Sequence, residues 1–233
     1  MAISQQGRVF ALSILGGLVA AGILAAMYST FVQPYFDVLT EAVIDDQIAD
    51  GEYDEGEFDF RLQSIRASNS WISLAWGLLG GALIGGALVY GKRTGRRVLD
   101  AVIIAAIAWF VLYVVPGLKY PASLIAFFDD DAAVTYFPLY YGYLAVSGLA
   151  AFGIVAGFRK VSSRNKLLGM GALYLAVIAA AYFAFPAYEL DLHYNQQMLG
   201  SWRTFISASM TAFWFSAGLI AGLLCKYGLA KKP

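Results

Sequence analysis

Six stretches of apolar residues, each long enough to cross a bilayer, dominate the chain. They run Val9–Phe31, Trp71–Gly91, Ala101–Gly117, Ala133–Phe158, Leu167–Pro186 and Thr204–Cys225, and no Asp, Glu, Lys, Arg or His falls inside them. About 20 apolar residues cover the hydrocarbon core as a helix. Backbone groups in lipid have to bond within their own segment. Period-two alternation is absent, which excludes strands. The pattern predicts an all-α, polytopic membrane protein with six transmembrane helices. The third stretch is the shortest and is a candidate for a kinked end. The opening MAISQQGRVF leads into the first stretch without a small-residue cleavage site, which predicts a retained helix and not a signal peptide.

One polar connection is sizeable, from about Pro34 to Ser70. PYFDVLTEAVIDDQIADG carries apolar residues at helical spacing and then a glycine in an acidic turn, and EFDFRLQSIRASNS reads as a helix feeding the second span. The expectation is a small acidic helix–turn–helix cap, with residues 1–233 forming a single integral membrane domain. Glycines recur four apart at Gly77, Gly81 and Gly85, at Gly153 and Gly157, and at Gly218 and Gly222. That spacing lets helix backbones approach closely. Short basic loops join spans two and three and spans four and five, and each hairpin then closes on a proline, Pro116 or Pro186. The arrangement suggests a weak parallel duplication.

Composition supports this reading: of 233 residues, 60% are hydrophobic and 14% charged, against about a quarter charged in a soluble domain. The formal net charge of zero conceals a strong polarity along the chain. Twelve of sixteen basic residues fall on one face of a six-span topology: Arg8, the 92–97 and 159–166 loops, and the tail from Lys226. Arg61, Arg66, Lys119 and Arg203 fall on the other. By the positive-inside rule both termini are expected in the cytoplasm. Every acid except Asp100 lies on the opposite, outer face. Acids hardly affect insertion, so their placement reads either as a solvated surface or as a field that concentrates cations.

Candidate chemistry is sparse. The lone His193 follows Glu189 and Asp191 beyond the fifth span, and Asp129, Asp130 and Asp131 precede the fourth. Imidazole beside carboxylates suits a first-row divalent metal, so these six residues form the candidate metal set; an interfacial polar histidine is the alternative. Asp46, Asp50, Gly51, Asp54 and Glu57 fit a calcium-loop register, but Ile48 occupies a ligand position. Cys225 is expected to pack as a small side chain. Aromatics near the span ends, Trp71, Tyr90, Tyr113, Tyr120, Tyr136, Tyr140, Tyr141 and Trp202, read as interfacial anchors. Tyr136, Tyr140 and Tyr141 could alternatively cage a cation. Ionisable residues inside spans mark proton relays; their absence argues against a self-contained proton-coupled transporter. No nucleotide loop, nucleophile–base pair or zinc-protease motif is present, so no enzyme activity and no tightly bound cofactor are expected.

Several segments together resemble the CbtA family of predicted cobalt transporter subunits. FVQPYFDVLTEA at Pro34 is similar to that family's helix-end motif. VPGLKYPA resembles its Pro-Lys-Tyr-Pro outer turn, through Pro116, Lys119, Tyr120 and Pro121. FPAYELDL and SWRTFISASMTAFWFSAG resemble its closing segment, through Pro186, Arg203, Ser207, Trp214 and Gly218. The family continues its outer turn with further prolines and an arginine, and SLIAFFDDDAAVTYFPLYY departs from that. The resemblance implies a membrane subunit of a divalent-metal uptake system, with cobalt as the transported cation and a small, histidine-bearing single-span protein as partner. A second reading from the residues is a structural or accessory subunit of a larger membrane enzyme complex.

Overall fold

The computed structural model describes residues 4–49, 55–91, 98–123, 126, 130–158, 165–188 and 196–230. Among them there is no strand, and six helices are long and apolar enough to span a membrane. The first span is continuous through α1 (Gln5–Met27), a π-helical turn (Tyr28–Val32) and α2 (Gln33–Ala49). The second is α3 (Glu55–Tyr90). The third comprises α4 (Val98–Trp109), a second π turn (Phe110–Val114) and α5 (Val115–Lys119). Then follow α6 (Asp130–Gly157), α7 (Lys166–Ala184) and α8 (Gln196–Ala230).

Several helices overrun the apolar stretches. α3 has 36 residues and α8 has 35, about 54 and 52 Å at 1.5 Å per residue, against a hydrocarbon core of about 30 Å. The connection from Pro34 to Ser70 is helical on both sides, as the apolar spacing predicts. Its central turn, residues 50–54, lies outside the described residues, and with it most of the calcium-loop register.

Both π turns end two residues before a proline. Proline lacks an N–H, and its ring crowds the carbonyl four residues back. A wider i→i+5 turn just upstream relieves that conflict without breaking the helix. In the first, the Gln33 N–H bonds the Tyr28 carbonyl, five residues back. Pro34 therefore sits inside a continuous helix instead of ending one. The second sits in the short third span, at the place suited to a kink.

The chain divides into two compact units. The first comprises residues 1–109 and 192–233, the second 110–191. In the first, α1 lies between α3 and α8, and α8 also packs on α4. Small residues allow these contacts. A Cβ on Gly17 would overlap the Gly77 carbonyl oxygen and stand 2.7 Å from the Gly81 nitrogen. A Cβ on Gly218 would stand 2.7 Å from the Ala105 Cβ. Around these crossings Leu24, Ile84, Leu88, Phe213 and Trp214 are fully buried. Cys225 is buried as well, with its Sγ 3.7 Å from the Val9 carbonyl and 3.8 Å from the Ser13 Oγ. It packs as a small helix residue, as expected.

The second unit is thinner. α6 packs on α7, whose buried residues are Tyr174 and Ala181. Among the described residues, Gly153 and Gly157 on α6 have nothing within reach of an added Cβ, so this pair, unlike those of α3 and α8, mediates no close crossing there.

Candidate functional site

The second unit contains a file of hydroxyl groups bonded to backbone carbonyls. Its origin is local. In the second π turn the Val111 carbonyl is in register for an N–H at position 116, and Pro116 has none. The Ser147 hydroxyl from α6 donates to that carbonyl at 2.6 Å. Ser147 Oγ is also 2.7 Å from the Tyr174 hydroxyl of α7. A buried, unsatisfied carbonyl in lipid costs several kcal/mol, which explains a serine on the apolar face of α6.

The file continues along one stripe of α6. Tyr136, Tyr140, Tyr143 and Ser147 are spaced four, three and four residues apart, which keeps them on one helix face. The Tyr143 hydroxyl donates to the Ile178 carbonyl at 3.4 Å. The Tyr136 hydroxyl donates to the Pro121 carbonyl at 2.9 Å, and the Tyr120 hydroxyl to the Pro186 carbonyl at 2.7 Å. From Ser147 to Tyr136 is eleven residues, about 16 Å of helix, more than half the hydrocarbon thickness. Apolar rings wall it: Tyr143 stands edge-on to Tyr120 and Phe185, at 5.9 and 5.3 Å between centroids. Burial pushes the Tyr120 hydroxyl above its ordinary value, so it remains a donor.

This corrects the reading of the tyrosines as interfacial anchors. Trp71, Tyr90 and Tyr141 are exposed and fit that role, but Tyr120 and Tyr136 are almost wholly buried. Trp202 is buried too, its ring 6.3 Å from that of Phe36. Nor do Tyr136, Tyr140 and Tyr141 form a cage: the first two rings stack at 6.0 Å and the third meets Tyr140 edge-on.

The outer-turn residues converge within this unit. Pro116 is buried in the first turn of α5, and Pro121 and Pro186 accept the tyrosine hydroxyls. Lys119 places its Nζ 4.3 Å from the Tyr182 ring centroid and 5.9 Å from that of Tyr120. Arg203 lies in the first unit, on α8, with one guanidinium nitrogen buried.

The candidate metal residues are less visible. Glu189, Asp191, His193 and Asp129 lie outside the described residues, and Asp130 and Asp131 begin α6. Among the described residues no three His, Cys, Asp or Glu side chains come together. Asp37, an acid of the first connection, is engaged internally: in the first unit Arg66 pairs with it at 2.9 Å. Gln33 donates to the same carboxylate oxygen at 2.7 Å, and Asn69 donates to Gln33 at 3.2 Å.

Six apolar helices, with hydroxyls set against carbonyls inside them, define a multi-pass membrane protein. The chain belongs to the CbtA family, described as "Probable cobalt transporter subunit (CbtA)", whose model matches residues 7–226. No curated protein and no solved structure matches the chain.

Proposed function

We propose that this protein is the membrane scaffold of a cobalt-uptake system and that the hydroxyl–carbonyl file of the second unit is its cation route. The observation that carries the proposal is the file itself: the neutral hydroxyls of Ser147, Tyr143, Tyr136 and Tyr120, bonded to carbonyls of the third and fifth spans and of the turns that follow them. A cation leaving water needs oxygens to replace its hydration shell, and backbone carbonyls with hydroxyls supply them without fixed charge. Each hydroxyl that rotates away from its carbonyl frees two oxygens for the cation.

Neutral oxygens do not select cobalt; imidazole does so better. Selection therefore falls to the segment with Glu189, Asp191 and His193, with Asp129 to Asp131 as further carboxylates, and to a partner protein. The family's description as a subunit supports a partner. A small histidine-bearing single-span protein would supply the missing nitrogen ligands. The same description favours transport over an accessory role in an enzyme complex. In this scheme both termini are cytoplasmic, by the distribution of Lys and Arg, and the acidic segments face the side from which cobalt arrives.

The test is cobalt accumulation at limiting supply in cells with and without the protein, and with Ser147→Ala and Tyr143→Phe. Loss of accumulation without the protein, and a marked fall in both variants at equal membrane abundance, is expected. Unchanged accumulation without the protein would remove the transport reading. A loss there, with both variants at wild-type level, would remove only the route.

A further inference from the structure

The outer end of the file holds a cation of the protein's own. Lys119 Nζ stands 4.3 Å over the Tyr182 ring and 5.9 Å from the Tyr120 centroid. The faces of aromatic rings attract cations, most strongly where water is excluded. Tyr182, the nearer ring, is 44% exposed; Tyr120 is 1% exposed, and its hydroxyl is tied to Pro186, so that ring cannot swing aside. The next residue, Pro121, accepts the Tyr136 hydroxyl, which fixes the backbone on that side. Lys119 is thus anchored beside the two outermost hydroxyl bonds of the file. Among the described residues no carboxylate pairs with it. An ammonium at this place repels an arriving cation.

From this geometry we infer that Lys119 is a tethered plug: its ammonium occupies the aromatic station at the mouth of the file, and a transported divalent cation has to displace it. This rests on the reading of the file as the cation route. The plug sets how much cobalt is needed for uptake, because each passage begins by breaking the ammonium–ring contact. The strength of such contacts, from partly exposed to desolvated, corresponds to about a twofold to thirtyfold change in occupancy. Lysine also anchors helices at membrane interfaces, and that role predicts the opposite sign: removing an anchor lowers the amount of inserted protein and leaves uptake per copy unchanged or reduced.

The experiment is initial radiolabelled cobalt uptake in whole cells, per inserted copy, over limiting to saturating concentrations. The full chain is expressed as wild type, Lys119→Met, Lys119→Gln, Lys119→Arg and Ser147→Ala. Lys119→Met and Lys119→Gln keep much of the stem and remove the charge; both should raise uptake at limiting cobalt within the twofold to thirtyfold range and lower the half-saturating concentration. Lys119→Arg retains a cation over the ring and should stay near wild type. If Ser147→Ala lowers uptake while the two neutral variants leave it unchanged or reduced, the plug is overturned and the route stands. If Ser147→Ala leaves uptake unchanged, the route falls and the plug with it. A rise in Lys119→Arg equal to that in Lys119→Met would also overturn the plug, since charge would then be irrelevant.

Discussion

Replacing Gly17 by alanine adds one methyl group at the closest helix crossing in the first unit. The new Cβ would overlap the Gly77 carbonyl oxygen and stand 2.7 and 2.8 Å from the Gly81 nitrogen and Cα. All three atoms are backbone, so no rotamer change can make room. Restoring an ordinary contact of 3.4 Å to the Gly81 nitrogen from 2.7 Å alone requires α1 and α3 to part by at least about 0.7 Å, and the overlap with the Gly77 carbonyl requires more; a gap of about 0.5–1 Å already forfeits about a quarter to a half of the dispersion energy of the contacts it opens. Overpacking of this kind costs about 1–3 kcal/mol. Alanine recovers about 0.5–1 kcal/mol of helix propensity, which leaves a net loss of about 0–2.5 kcal/mol, and the backbone-on-backbone overlap puts Gly17 toward the upper end. Gly153→Ala is the matched control, because nothing lies within 4 Å of its added Cβ; only the propensity term acts there, and it stabilises. The assay is the fraction of purified protein that stays monodisperse by size exclusion after heating in mild detergent. Gly17→Ala should lose half its folded population several degrees below wild type, and Gly153→Ala at or above it. Equal midpoints for the two variants would refute the packing argument.

Other outcomes follow from the same geometry. Asp37→Asn breaks an ion pair whose side chains are 32% and 47% exposed, so its stability cost should not exceed about 1 kcal/mol, and cobalt uptake should hold if Asp37 serves structure alone; a large fall in uptake would make it a cation ligand. Pro116→Ala returns an N–H to the position facing the Val111 carbonyl, so Ser147 loses its obligatory role; membrane integration should persist while uptake falls, and failed integration would count against this. His193→Ala should raise the cobalt concentration needed for uptake, and an unchanged dose response would return the histidine to an interfacial role. A topology reporter fused after Lys232 should read cytoplasmic and one inserted at residues 50–54 should read external; the reverse pair would overturn the orientation.

The spans were legible because lipid leaves the backbone no alternative to helix, so apolar length alone defines them. Their true ends were not: α3 and α8 continue through polar residues whose cost in water is small, and hydropathy has no signal for that. Pro34 reads as a helix end by ordinary propensity. Only the register of the π turn, fixed by which carbonyls find donors, lets the helix continue through it. The hydroxyl file was hidden by a similar ambiguity. Tyrosine near a span end satisfies the interfacial rule equally well whether it faces lipid headgroups or a neighbouring helix. The four–three–four spacing of Tyr136, Tyr140, Tyr143 and Ser147 was the available signal, since an interfacial belt has no reason to repeat for about three turns along one face. Nothing in the sequence could reveal that Ser147 answers a carbonyl freed 36 residues earlier.

The polarity of charge along the chain and the neutrality of the file constrain each other. Charged groups inside the spans would stabilise a divalent cation in transit, but they would also bind it tightly and slow its release. A file of hydroxyls and carbonyls avoids that trap and pays with weak attraction and poor selectivity. On the proposed route, the ligands that concentrate and choose the cation would stand at the ends of the path, where acids and a histidine are hydrated and cost little. The acids of this chain are concentrated on one side of the spans in sequence, and its single histidine sits at a span end. In this arrangement the apolar helices need only exclude water and hold the oxygens in line, so a partner that brings further imidazole could change which metal enters without altering the route.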